Sequence, residues 1–164
     1  MTDYGVAQIC VNGHIINSKY NDLEIKEPYC NQCSEMVINK CENCKTEIKG
    51  SEREADAIDP PYRYSTAQYF KPLYCSYCGK PFPWTETINL KVNEIILSAK
   101  NLNNIEQEEL KNSINDLVIN NNTENASYKF KDHISKAGTD IGKALKDILI
   151  EVVSETVKKS IWGT

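Results

Sequence analysis

Seven cysteines and one histidine stand in four short clusters in the first half of the chain, and their spacing indicates metal binding. The clusters are one Cys-x-x-x-His and three Cys-x-x-Cys pairs, with members Cys10, His14, Cys30, Cys33, Cys41, Cys44, Cys75 and Cys78. Two residues between thiolates allow a tight turn in which both sulfurs reach one ion at about 2.3 Å. Eight ligands fill two tetrahedral Zn²⁺ sites, and His14 accounts for the odd number of cysteines. The sequence therefore predicts two zinc ions per chain.

The four ligand pairs can share two ions in two ways. In sequential zinc ribbons, the first and second pairs hold one ion, and the third and fourth pairs hold the other. In a cross-braced arrangement, the first pair works with the third and the second with the fourth. Only seven residues separate Cys33 from Cys41, which suits a strand between two successive ribbons. The single histidine also lies in the first pair, so we favour the sequential arrangement.

The ligand count favours structural metal over catalysis. Each predicted site has four protein ligands and no open position, which is typical of structural zinc. A thiol redox role usually needs one Cys-x-x-Cys pair on a βαβ scaffold rather than four pairs. The remaining histidine, His133, has polar neighbours in sequence and is expected at the surface. No Gly-rich phosphate loop, nucleophile elbow or metalloprotease helix motif is present, and we expect no enzyme activity.

The net charge and the lengths of the apolar runs indicate which partners and which compartment to expect. The 164 residues carry 19 basic and 23 acidic side chains, a net charge of −4. This balance argues against non-specific nucleic-acid binding, which depends on Lys and Arg neutralising phosphates. No apolar run reaches the roughly 18 residues of a membrane span, and the first residues lack the basic and apolar regions of a signal peptide. We therefore expect a cytoplasmic location, where thiols stay reduced.

Short β-hairpins are expected to carry the ligand pairs. Residues 6–9 and 15–17 flank the first pair as two strands would. Residues 36–38 and 46–48 do the same around the third pair. The acidic stretch at 50–62 ends in consecutive prolines and predicts an exposed loop inside the second ribbon.

Aromatic residues are concentrated near the fourth ligand pair. They are Tyr62, Tyr64, Tyr69, Phe70, Tyr74, Tyr77, Phe82 and Trp84. One interpretation is that these rings fill a small metal-centred core. Another is a recognition face, because Tyr and Trp dominate binding hot spots. Base stacking is a third use, but residues 1–83 carry nine basic and eleven acidic side chains, which does not support it.

The second half of the chain has helical periodicity. Apolar residues recur every three or four positions over 84–99, which predicts one amphipathic helix. Asn103 followed by Glu106 has the pattern of a capping box at the start of a second helix. Residues 120–125 are polar and predict a loop.

The last segment, residues 127–162, contains a wide apolar stripe. The stripe keeps its phase through Gly138, and we predict a kinked or divided helix there. Packing on its own domain or on a second copy of the chain explains most such stripes. Membrane-surface binding is disfavoured, because acidic residues cancel the nearby lysines, whereas interfacial helices are usually basic.

These patterns together predict an α+β fold. A tandem zinc-ribbon module of short β-hairpins is expected at 1–83. An all-α domain of three to four helices is expected at 84–164. The two zinc ions belong to the first domain.

Three stretches of the chain resemble an uncharacterised bacterial family. They are YGVAQICVNGHIIN at 4–17, CGKPFPWT at 78–85 and KKSIWG at 158–163. The family is a domain of unknown function with two zinc knuckle sets followed by helices. The resemblance covers nearly the whole chain and implies bacterial origin, zinc at the eight positions given above and one compact architecture. It implies no activity.

One feature departs from the usual zinc-ribbon pattern. A glycine normally follows the second cysteine of a knuckle, and here it does so only at Gly79. Ser34 and Lys45 take that place in the second and third pairs. The turn geometry of these two knuckles is therefore left open by the sequence.

Three functional hypotheses follow. The leading one is a zinc-stabilised adaptor that contacts another protein through the aromatic region or the C-terminal helix. The second is a zinc-ribbon protein that binds nucleic acid selectively. The third is an effector that forms oligomers or associates with membranes through residues 127–162. The identity of a protein partner and the oligomeric state are not fixed by the sequence.

Overall fold

The computed structural model describes residues 3–20, 25–55, 62–64, 67–119 and 123–163. The chain divides into two compact units, Met1–Thr87 and Ile88–Thr164. Over the described residues, a five-stranded antiparallel sheet is followed by five helices. This is the mixed α+β fold that the sequence predicts.

β1 is the central strand of the sheet. The strands are β1 (Asp3–Cys10), β2 (Ile15–Tyr20), β3 (Val37–Ile38), β4 (Lys49–Ala55) and β5 (Tyr62–Tyr64). The sheet order is β2-β1-β4-β5, and β3 also pairs with β1. Ile9 pairs with both Ile15 of β2 and Ile38 of β3, so β3 lies on the same edge of β1 as β4. The predicted hairpin around the first ligand pair and the predicted strand at 36–38 are confirmed.

The exposed loop predicted at 50–62 is wrong for residues 50–55, which belong to β4. This strand lies between β1 and β5 and is held by main-chain hydrogen bonds on both sides. A Cβ at Gly50 would collide with the Ser18 carbonyl oxygen and the Gly5 backbone, so only glycine permits this close approach. The prediction is also wrong at Tyr62, where β5 begins, and residues 56–61 lie outside the described part.

Five helices occupy the described part of the second half, where the sequence predicts three to four. They are α1 (Pro83–Ser98), α2 (Asn104–Ile119), α3 (Thr123–Ala137), α4 (Thr139–Leu149) and α5 (Glu155–Trp162). The sequence predicts a kinked or divided helix at Gly138, and the structure has a division there, at a glycine with a φ of 103°. A further interruption follows Leu149, and Ser154 then caps α5 by accepting a hydrogen bond from the Val157 N–H.

The boundaries of α2 and α3 test two further predictions. The Asn103 side chain accepts hydrogen bonds from the N–H groups of Ile105 at 2.9 Å and Glu106 at 3.0 Å, and the Glu106 carboxylate accepts the Asn103 N–H at 3.0 Å. The capping box is therefore confirmed. The polar loop predicted at 120–125 is wrong from Thr123 onward, because α3 begins there. Residues 120–122 lie outside the described part.

The core of the second unit consists of apolar side chains from all five helices. Phe130, Leu145, Leu149 and Val157 are at most 1% exposed, so the apolar stripe of the last segment is buried within its own unit. The Trp162 ring packs edge-on against Phe130, with ring centroids 6.4 Å apart.

His133 is buried, and the prediction of a surface histidine is wrong. The side of α3 that packs on α2 includes this residue, which is 7% exposed. Its Nδ1 donates to the Lys129 carbonyl at 2.7 Å, and its Nε2 lies 3.0 Å from a Glu109 carboxylate oxygen. Both ring nitrogens thus have partners, and the contact between Nε2 and Glu109 ties α3 to α2.

Candidate metal centres

The three Cys-x-x-Cys pairs form turns of the same geometry. In each, the N–H of the residue after the second cysteine donates to the carbonyl of the first cysteine. These bonds join Ser34 to Cys30, Lys45 to Cys41 and Gly79 to Cys75, at 2.8–2.9 Å. The N–H of each first cysteine then donates to a carbonyl five residues later, that of Glu35, Thr46 or Lys80, at 2.8 Å. A single β-bridge closes each turn, and around the third pair Lys40 and Glu47 make that bridge in place of the strand predicted at 46–48.

The turn geometry that the sequence left open is the same in all three knuckles. Ser34, Lys45 and Gly79 have φ values of 60°, 61° and 68°. Two residues with side chains therefore adopt the left-handed conformation that glycine adopts freely, at a cost of about 1–2 kcal/mol each. The turn is kept in spite of this cost because it aims both sulfurs of a pair in one direction.

The Cys-x-x-x-His turn differs in its hydrogen bonds. The Gly13 N–H donates to the Cys10 carbonyl at 2.7 Å, and the Cys10 N–H donates to the His14 carbonyl at 3.0 Å. The His14 N–H points at the Cys10 sulfur, 3.2 Å away. With a φ of 89° at Gly13, the turn places the Cys10 sulfur and the His14 ring on one side.

The first site consists of Cys10, His14, Cys30 and Cys33. The His14 Nδ1 lies 3.4 Å from the Cys10 sulfur, 3.3 Å from that of Cys33 and 3.6 Å from that of Cys30. The sulfurs of Cys10 and Cys33 are 3.8 Å apart. All four donor atoms lie within 4.8 Å of one another.

The second site consists of Cys41, Cys44, Cys75 and Cys78. The sulfurs of Cys41 and Cys78 are 3.8 Å apart, and those of Cys44 and Cys75 are 3.6 Å apart. All four sulfurs again lie within 4.8 Å of one another. The structure thus brings the eight predicted residues into two groups of four, and these groups are those of the sequential arrangement.

Both donor sets fit one tetrahedral ion each. An ion with metal–sulfur bonds of about 2.3 Å separates two sulfurs by about 3.8 Å, and an imidazole nitrogen at about 2.0–2.1 Å lies about 3.6 Å from a sulfur. The sulfur–sulfur distances of 3.6–3.8 Å and the nitrogen–sulfur distances of 3.3–3.6 Å correspond to those edges. The two clusters therefore fit tandem zinc-ribbon modules.

The family model described as "Uncharacterized protein conserved in bacteria (DUF2321)" matches residues 3–161. The chain belongs to this bacterial family. The resemblance found in the sequence is confirmed. No curated protein and no solved structure matches the chain. Among the described residues of this DUF2321 protein, no helix combines the length and apolar character needed to span a membrane.

Hydrogen bonds around the second site favour thiolate at two of its ligands. The Thr46 hydroxyl lies 3.3 Å from the Cys44 sulfur, and together with the Thr46 N–H it lowers the pKa of Cys44 to about 6. The Lys80 N–H, followed by Asn43, lowers the pKa of Cys78. Burial acts in the opposite direction at Cys41 and raises its pKa to about 11. The Cys41 thiol therefore keeps its proton at neutral pH until a cation binds beside it.

Each site has a buried and a partly exposed side. The first cysteine of every pair is buried, whereas Cys33, Cys44 and Cys78 are partly exposed. Before each Cys-x-x-Cys pair lies a residue that forms a β-bridge; the first cysteine of the pair enters the core, and the turn carries the second toward solvent. The core therefore fixes half of the ligands, and short turns fix the other half.

The aromatic residues divide between core and surface. The rings of Phe82 and Trp84 are buried and stacked with centroids 4.7 Å apart, whereas Phe70 and Tyr77 are exposed. Tyr69 and Tyr74 are half-buried. The side chains of Tyr62 and Tyr64 lie outside the described part. The core interpretation and the recognition-face interpretation therefore each have candidate residues.

Tyr29 and Met36 are two further exposed residues, and the sequence did not single them out as candidates for a binding surface. They are 66% and 51% exposed and form the β-bridge that closes the second knuckle. Their positions, one before the first cysteine and three after the second, repeat in each Cys-x-x-Cys turn. That repeat is the sequence signal that identifies them.

Proposed function

We propose that this protein is a zinc-stabilised binding module in which two structural Zn²⁺ ions hold a ribbon domain that contacts another protein. The observation that carries the proposal is the pair of four-donor clusters with tetrahedral edge lengths. Donor sets of Cys₄ and Cys₃His are those of structural zinc sites. Zinc would contribute folding free energy to the first unit and would be released by chelators.

We also propose that the protein is not an enzyme. Each cluster supplies four protein ligands, which leaves no coordination position for substrate or water. His133, the histidine outside the clusters, has both ring nitrogens engaged by Lys129 and Glu109. Neither the metal sites nor this histidine offers a group ready to react.

The proposed contact surface lies on the first unit. Tyr29, Met36, Phe70 and Tyr77 are 51–79% exposed there, and Tyr29 and Tyr77 stand on knuckles that the metal would hold rigid. Rigid aromatic side chains bind partners at a low cost in conformational entropy, which is why Tyr and Trp are enriched at binding hot spots.

A pull-down from the native bacterial host tests this proposal. The zinc-loaded full-length chain is compared with a Tyr29→Ala/Tyr77→Ala double variant and with Tyr128→Ala. Tyr128 is 74% exposed on α3 in the second unit and serves as the matched control. We expect a partner that the wild type and Tyr128→Ala retain and the double variant loses. Equal recovery by all three proteins, or no partner for any of them, overturns the proposed surface.

The two alternative functions receive less support. Nucleic-acid binding is opposed by charge: residues 1–83 have a net charge of −2, which seven thiolates and two Zn²⁺ ions would take to −5. A salt-dependent mobility shift with DNA or RNA would reverse that judgement. Oligomer formation or membrane binding through residues 127–162 would need an apolar stripe that is already buried in its own unit. Liposome co-sedimentation and light scattering test these two roles directly.

A further inference from the structure

The two metal sites share a wall made by β1 and β3. Neighbouring side chains on a strand point to opposite faces, and here the two faces serve different sites. Cys10 of β1 is a ligand of the first site, whereas the adjacent Ile9 is buried in the cluster that contains Cys41 and Cys75. On β3, Val37 packs with Cys10 and Cys30, and Ile38 packs in the other cluster.

The backbone pairing of β1 with β3 therefore positions residues for both sites. The pairs are Ile9 with Ile38 and Cys10 with Val37, and the ladder continues with the Val11 N–H donating to the Met36 carbonyl at 3.0 Å. If the pairing of β1 with β3 breaks, Cys10 is no longer held in position to bind the ion of the first site. The second site loses the apolar side chains that pack against its buried cysteines.

A second connection links the turn of the first site to the segment around the fourth knuckle. The Lys71 ammonium donates to the Gly13 carbonyl at 2.9 Å. A Cβ added at Gly13 would lie 2.9 Å from the Trp84 Cβ, so the turn is packed directly on that residue. Trp84 is in turn fixed by its stack on Phe82 and by donating its indole N–H to the Pro72 carbonyl at 2.8 Å.

We propose that the two metal sites are thermodynamically coupled, so that an ion in either site raises the affinity of the other. The shared β1–β3 wall and the Lys71–Gly13 contact are the elements that carry the coupling. An ion at the second site orders the segment that supports Gly13 and the wall that supports Cys10. Linkage then requires the first site to strengthen the second by the same factor. The inference rests on the proposed zinc binding, and it predicts how the two ions are taken up.

The test is a Zn²⁺ titration of the reduced full-length chain, followed by native mass spectrometry and by competition with a chromophoric chelator. Coupling of about tenfold or more suppresses the one-ion species relative to the apo and two-ion species at one equivalent of zinc. Cys75→Ser/Cys78→Ser should weaken the first site, and Cys30→Ser/Cys33→Ser should weaken the second, by at least that factor.

Ligand variants can fail by misfolding, so a variant with all eight ligands intact keeps the test decisive. Lys71→Met removes the hydrogen bond to Gly13 and should raise the one-ion population. Lys26→Met, an exposed lysine of the same unit, is the matched control and should behave as the wild type.

The outcomes separate this inference from the proposed function. Two ions bound independently, with no effect of Lys71→Met, overturn the coupling and leave zinc binding intact. A wild-type chain that binds no zinc overturns both. A suppressed one-ion species that returns in Lys71→Met but not in Lys26→Met supports the coupling.

Discussion

Removal of the metal is expected to unfold the first unit and to leave the second folded. Among the described residues, the first unit has two buried clusters of eight and three residues, and four of these are the cysteines Cys10, Cys30, Cys41 and Cys75. The described part of the second unit has fifteen buried apolar residues in one cluster, and none of them is a candidate ligand. The ligands themselves therefore form much of the first core, whereas the second core depends on apolar burial.

The magnitude follows from the proposed zinc sites. Structural zinc contributes an apparent binding free energy of about 10–16 kcal/mol per site in small modules. The stability of a whole domain is about 5–15 kcal/mol. The loss of one ion is thus comparable to the entire stability of the first unit, and the loss of both exceeds it.

The two tryptophans allow each unit to be observed separately. Trp84 is buried in the first unit, and Trp162 packs on Phe130 in the second. Trp162→Phe leaves Trp84 as the reporter, and Trp84→Phe leaves Trp162. After addition of a zinc chelator with a thiol reductant, we expect the emission of Trp84 to shift to longer wavelength and that of Trp162 to stay unchanged. The helical circular dichroism signal should be largely retained.

Two results would refute this reasoning. If both reporters shift together, the second unit depends on metal and its apolar core is not sufficient. If neither shifts although mass spectrometry shows a metal-free chain, the first unit folds without metal. Re-addition of zinc is the control, and it should restore the original emission of Trp84.

Five substitutions give further expected outcomes. Ser34→Gly and Lys45→Gly should each raise the free energy of unfolding of the metal-loaded first unit by about 0.5–1 kcal/mol, because relief of left-handed strain exceeds the entropy cost of glycine. Gly79→Ala should lower the same free energy. Denaturant titration measures both changes. Thr46→Val removes the hydroxyl beside Cys44 and should weaken zinc binding at the second site about 10-fold or more in chelator competition, whereas an unchanged affinity would contradict a supporting role. Phe130→Ala should destabilise the second unit by about 3–5 kcal/mol in thermal or denaturant unfolding followed by Trp162, with zinc content unaffected.

The metal sites were predictable because their chemistry is local. Short turns place two donors near each other whatever the rest of the chain does. The choice between the sequential and the cross-braced grouping depends on the folded chain, which brings together the first with the second pair and the third with the fourth. Even so, the sequence did not reveal that Ser34 and Lys45 adopt the same left-handed turn as Gly79. That conformation is imposed by the Cys-to-turn hydrogen bonds, and it overrides the preference of the individual residue.

β4 was missed because its sequence lacks the signal on which strand prediction depends. Lys-Gly-Ser-Glu-Arg-Glu-Ala has no alternation of apolar and polar residues. Main-chain pairing on both edges holds it, and the need for Gly50 comes from contacts with Ser18 and Gly5, which are distant in sequence. Such a strand depends on tertiary structure, so local patterns cannot identify it.

His133 is the opposite case. The helical spacing that indicates its burial was present in the sequence, but the charged residues next to it suggested a surface position. Lys and Asp beside it in sequence suggested a surface position, but neighbours in sequence point to other sides of a helix. Ala126, Phe130, His133 and Ala137 are spaced by four, three and four residues, and all four are buried. Periodicity alone therefore places the ring on the inner side of α3. Burial of a polar ring requires partners, and the Lys129 carbonyl and the Glu109 carboxylate meet that requirement.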